Sequence, residues 1–120
     1  MGRCRLPYAP ALVAFDCDGT LQWGNPPGPV TQAMLEALEA AGYTVVVISD
    51  SRNCEGRWHL RDPWPAPQRR LGLLRNKERH NLWRCAYVSD NPGDDLQAAW
   101  AGCEYIRPEE LAADCFGERR

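Results

Sequence analysis

The sequence predicts a single α/β domain built on a doubly wound parallel sheet with helices on both faces. Three observations carry this. Short runs that are apolar at nearly every position occur four times, as strands buried on both faces require. Segments with helical periodicity lie between them. The three longest runs end in polar residues, Asp16, Ser49 and Asp90, and ligands of such sheets sit at the carboxyl ends of the strands.

The first run, Ala11–Asp16 (ALVAFD), predicts the first strand. Val30–Ala41 follows as a helix, with Met34, Leu35, Leu38 and Ala41 on one face, Pro29 near its start and Gly42 just past its end. Thr44–Ser49 (TVVVIS) is β-branched and predicts the second strand. Leu71, Leu74 and Leu82 predict further helix between Pro67 and Trp83. Cys85–Asp90 (CAYVSD) is a strand, Asp94–Ala101 a helix stopped by Gly102, and Cys103–Ile106 (CEYI) a short last strand. Glu109–Ala113, after Pro108, predicts a closing helix.

At 120 residues the chain is expected to be one domain, 1–120, with its core over about 11–107. With 44% hydrophobic and 25% charged residues and a net charge of −2, it does not have the composition of a disordered chain. Neither a collagen period nor a heptad repeat appears. No apolar run approaches the roughly 18 residues of a membrane span. The first ten residues hold no signal-like apolar stretch, so the expectation is a cytoplasmic protein without membrane contact. Charge is unevenly placed: residues 52–84 carry a net +6 and the rest of the chain −8, an asymmetry that can mark a surface for anionic ligands.

The six cysteines, Cys4, Cys17, Cys54, Cys85, Cys103 and Cys115, show no C-x-x-C spacing. They are expected to be reduced thiols, with Cys85 and Cys103 acting as small buried hydrophobes.

The strand ends carry the chemistry. Asp16 and Asp18, two residues apart, can both face one pocket, and Gly19 permits the tight turn after them. Asp90 ends a later strand and Asp94 lies one helical turn beyond. Four carboxylates at one site raise each other's pKa unless a cation sits among them. All-oxygen ligation suits Mg²⁺.

D-x-D-G-T-L after an apolar strand (Asp16–Leu21), a hydroxyl residue ending the second strand (Ser49) and D-x-x-x-D after a late strand (Asp90, Asp94) resemble the haloacid dehalogenase (HAD) superfamily of phosphohydrolases. The resemblance implies a Rossmann-like, HAD-type sheet and a Mg²⁺-dependent phosphatase working through an aspartyl-phosphate. Asp16 would be the nucleophile and Asp18 the general acid and base. The metal would be held by the Asp16 carboxylate, the Asp18 carbonyl and Asp90. Asp94 would bind it through water or orient Asp90, with Asp95 a second candidate for that role. Ser49 would hold a phosphoryl oxygen, helped by backbone N–H groups near Asp50, with Ser51 a weaker candidate.

The family's phosphate-binding cation maps onto two places. Chemistry points to Lys77, the single lysine. Spacing points to Arg69 or Arg70, about twenty residues before Asp90 and just after Pro67. Lys77 and Arg70 stand about even. Neither Gln22–Gly28 nor the stretch after Ser49 is long enough for a cap domain, which implies an open, capless site. Such a site suits a phosphorylated small molecule or a nucleic-acid end such as a 3′-phosphate, and a homodimer is one way to cover it. Arg52, Arg57, Trp58, His59, Arg61, Trp64, Arg69 and Arg70, with Trp23, form a basic, tryptophan-bearing rim able to contact nucleic acid. The opposing expectation is that the tryptophans pack beneath a loop. A phosphate- or nucleic-acid-binding pseudophosphatase without turnover is the alternative function. A signalling receiver domain fits poorly, because no lysine follows Lys77.

Overall fold

The structure is a computed structural model that describes residues 3–49, 54, 56–61 and 66–117. Its order is β1 (Leu12–Phe15), α1 (Gln32–Ala40), β2 (Thr44–Ser49), β3 (His59–Arg61), α2 (Arg69–His80), β4 (Cys85–Val88), α3 (Asp94–Trp100), β5 (Glu104–Ile106) and α4 (Pro108–Cys115). A short 3₁₀ turn, Ala66–Gln68, leads into α2. The five strands form one parallel sheet in the order β3-β2-β1-β4-β5.

Alternation along the strands explains the layers. Val13, Phe15, Val45, Val47, Ala86 and Val88 point to one face, where Leu35 and Leu38 of α1 and Leu111 of α4 cover them. Leu12, Ala14, Val46, Ile48, Cys85 and Tyr87 point to the other, under Leu73 of α2 and Ala98 of α3. β1 is wholly buried because it is central and covered on both sides. Thr31 caps α1 by accepting the Met34 N–H at 3.3 Å. The chain runs outward from β1 to β3 and returns to the other side of β1 at β4. The sheet's switch point therefore lies between the carboxyl ends of β1 and β4.

Two expectations change. β3 is a fifth strand that the apolar pattern does not reveal, since only Leu60 of its three residues is apolar. The cysteines are not reduced: Cys4 pairs with Cys115, Cys17 with Cys54 and Cys85 with Cys103. Cys85 and Cys103 are buried as expected, but as a disulfide. Such bonds persist mainly in oxidising compartments and in proteins of heat-loving organisms, so the cysteines lend the cytoplasmic expectation no support. Among the described residues, no helix is long and apolar enough to cross a membrane.

Candidate active site at the switch point

Asp16 directly follows β1, and its N–H donates to the Val88 carbonyl of β4 at 2.9 Å. The residue is therefore held by the sheet on the side of the switch point. Burial raises its carboxyl pKa from the ordinary 3.8 to about 6. The Cys17 N–H and the charge of Arg69 oppose the rise, while Asp94 and Asp90 add to it.

Beyond Asp16 the chain forms a closed loop. Thr20 N–H and Leu21 N–H donate to the Cys17 carbonyl at 3.1 and 2.9 Å, and Gly19 N–H donates to the Pro26 carbonyl at 2.6 Å. Asp18 Oδ1 accepts the Asn25 N–H at 2.9 Å. Gly19 has φ +76, and a Cβ there would collide with the Asp90 carboxylate. Glycine is thus required both for the turn and for the approach of the β4 end to the β1 loop.

On the other side of the switch point, burial raises the Asp90 pKa, and the neighbouring Asp94 charge adds to the rise. Asp94 opens α3 and is buried. Its Oδ2 accepts from the Ser89 hydroxyl at 2.7 Å, and its Oδ1 lies 3.5 Å from the Asn91 amide nitrogen. The Tyr105 hydroxyl braces this turn, lying 2.9 Å from the Ser89 carbonyl and 3.0 Å from that of Asn91. Asp95, by contrast, is exposed. Of the two spacings the sequence offers, the four-residue one places the acid inward.

Arg69, the first residue of α2, is buried, and its charge acts on both Asp16 and the buried Tyr87. Its neighbour Arg70 turns away to α3. The Arg70 N–H donates to Gln97 Oε1 at 3.0 Å, and its guanidinium lies 5.4 Å over the Trp100 ring. Lys77 lies two helical turns further along α2 and donates to the Ala101 carbonyl at 2.8 Å, past the end of α3. Of the three candidate cations, Arg69 is the one whose charge acts on Asp16, while Arg70 and Lys77 bond to Gln97 and Ala101.

Ser49 ends β2 and is buried, with its carbonyl 3.2 Å from His59 Nε2. Asp50 and Ser51 lie outside the described residues, as do Arg52 and Trp64. The basic rim is partly dismantled. Trp58 is 6% exposed in the core, 6.3 Å from Trp23 between ring centroids. Arg57 lies 4.1 Å over the Trp58 ring and pairs with Glu39. The Arg57 side chain stays largely exposed, and with Trp23 and Trp58 it lines an open cavity.

Sequence reading missed Ser89 and Tyr105, which orient the Asp90–Asp94 turn. A serine immediately before the late acid is the one signal that pointed to the first; nothing local pointed to the second. Among the described residues, no three His, Cys, Asp or Glu side chains close into a metal-binding group. Compared with family models, with curated proteins and with solved structures, the chain finds no match.

Proposed function

We propose that this chain is a Mg²⁺-dependent phosphohydrolase of HAD type, capless, hydrolysing phosphomonoesters through an aspartyl-phosphate on Asp16. The observation that carries the reading is the electrostatic setting of Asp16. A half-buried carboxylate with pKa about 6 stands at the switch point, where two further acids and one buried arginine act on its charge. An acidic site that also holds a buried guanidinium suits a cation and an anion together.

The donor set fits the metal. Mg²⁺ takes only one or two carboxylates and fills its shell with other oxygens, so a three-acid cluster is not required. Asp16 and Asp90, with the Asp18 carbonyl, would hold it, and Asp94 would keep Asp90 in place. When bound, Mg²⁺ supplies positive charge against the phosphoryl oxygens and the Asp16 carboxylate.

The chain's own groups do the remaining work. The Asp16 carboxylate attacks phosphorus, and the leaving-group oxygen takes its proton from Asp18. Asp18 then removes a proton from the water that cleaves the acyl-phosphate. Arg69 offers the charge that stabilises the phosphoryl oxygens, and Ser49 adds a hydroxyl donor. Between β1 and α1 lies only the loop 16–31, closed on itself by a Leu21–Val30 bridge, which supports an open site.

The test is phosphate release from an aryl phosphate and from a 3′-phosphorylated oligonucleotide, with Mg²⁺ and with chelator. Release that needs Mg²⁺ and is lost in Asp16→Asn supports the reading. Metal-independent release that survives in Asp16→Asn would end it.

A further inference from the structure

We infer that the Cys17–Cys54 disulfide is a positioning device for the Asp16–Asp18 loop, so that the candidate site is fully formed only in the oxidised chain. The kinetic part of this inference rests on the phosphohydrolase reading; the structural part does not.

Cys17 is the residue between the two candidate catalytic carboxylates, and its backbone is the hub of their loop. Its N–H directly follows Asp16 and acts to lower that carboxyl's pKa. Its carbonyl accepts from both Thr20 and Leu21. Gly24 packs so closely on that carbonyl that a Cβ would collide with it. A shift of Cys17 therefore moves the anchor of the turn that links Asp16 to Asp18 and Gly19.

The Cys17 side chain is bonded to Cys54. Both residues are buried, at 0% and 1% exposed, in the core beneath α1 and α4. Cys54 belongs to the connection between β2 and β3, four residues before Trp58, whose carbonyl accepts the Val47 N–H of β2 at 2.8 Å. The disulfide thus ties the loop after the strand carrying Asp16 to the chain that follows the strand carrying Ser49. A covalent tie between two strand-end segments restricts the loop in a way that packing alone does not.

The other two disulfides lie elsewhere. Cys4–Cys115 joins the terminal segments. Cys85 begins β4 and Cys103 precedes β5, so their bond lies at the amino edge, about 10 Å of strand from the site. They are internal controls. Reduction by a small dithiol would place two electrons in the Cys17–Cys54 bond. The dithiol gives up its two protons to the new thiols and closes to its own disulfide.

The experiment compares the double variant Cys17→Ala/Cys54→Ala with Cys85→Ala/Cys103→Ala, using two readouts. Amide hydrogen exchange at Gly19, Thr20 and Leu21 should quicken by about tenfold or more in the first variant, with β1 and β4 amides still protected. In the same variant kcat should fall by about ten- to a hundredfold, with KM within about twofold of wild type. The control pair should change neither readout. Unchanged exchange at the three amides, or equal effects in both pairs, would overturn the inference. If the oxidised wild type releases no phosphate, the phosphohydrolase reading fails and exchange alone decides the positioning role. If the first variant loses protection across the sheet, Cys17→Val/Cys54→Ala, which restores volume, is judged by the same readouts.

Discussion

Asp16 is where fold and chemistry meet, and its protonation gives a test without substrate. Its folded pKa, about 6, lies above the ordinary 3.8 because burial penalises the charge. The folded chain therefore binds the proton more tightly than the unfolded one. Stability from this group is present in full below about pH 4 and is lost as pH rises through 6, a change of up to about 3 kcal/mol. In chelator, Asp16→Asn should therefore be more stable than wild type at pH 7.5, and its advantage should shrink toward pH 4. Denaturant midpoints at both pH values check this. An advantage independent of pH would show that Asp16 is not desolvated in the folded chain. Ser89→Ala removes the hydroxyl that donates to the buried Asp94 and should cost about 1–3 kcal/mol. Matched melts at pH 7 measure it.

At the scale of elements, Arg69 and Lys77 share one helix but not one site. They are eight residues apart, about 12 Å along the axis. Arg69 starts the helix beside Asp16, whereas Lys77 has passed to the far end of α3. Arg69→Met should raise the Asp16 pKa further above about 6, read by carboxyl NMR titration, and lower phosphate release at least tenfold, since it removes a buried charge partner. Lys77→Met should leave release within about twofold and lower stability by only about 1 kcal/mol, the loss of one hydrogen bond to Ala101. The reverse pattern would assign the phosphate-binding role to Lys77.

The contrast also shows what was readable at this scale. The spacing from Asp90 pointed to the start of α2. The rarity of lysine pointed elsewhere, and composition carries no distance information. α1, β1, β2 and β4 were legible because apolar runs and caps are local signals. β3 was not, because His59 and Arg61 flank a single leucine and only pairing with β2 makes the segment a strand. Which of Asp94 and Asp95 faces inward depends on the orientation of α3, and so does the role of Ser89.

For the whole molecule, the three disulfides change the account most. Their pairings span 111, 37 and 18 residues, and such distances close only once the sheet has brought the strands together. No spacing rule in the sequence could supply them. They also set an order of stabilities. The longest loop should contribute most, about 4–5 kcal/mol for Cys4–Cys115 against about 3 for Cys85–Cys103 in the loop-entropy picture. Denaturant unfolding of Cys4→Ala/Cys115→Ala and of Cys85→Ala/Cys103→Ala checks the order. Equal losses would show that residual structure in the unfolded chain outweighs loop length.

The switch point between β1 and β4 is the property of the whole fold on which the proposed function rests. It brings Asp16, from one end of the sequence, beside Asp90 and Asp94 from the other. The claim that this site forms a covalent phosphoryl intermediate on Asp16 is tested most directly by intact-mass and peptide mapping. The Asp18→Asn variant is quenched in acid after incubation with aryl phosphate and Mg²⁺. With its base for hydrolysis removed, that variant should retain the mass of one phosphoryl group on the peptide holding Asp16, and Asp16→Asn should retain none. A phosphoryl group on another residue, or none on Asp18→Asn while wild type turns over, would contradict the account.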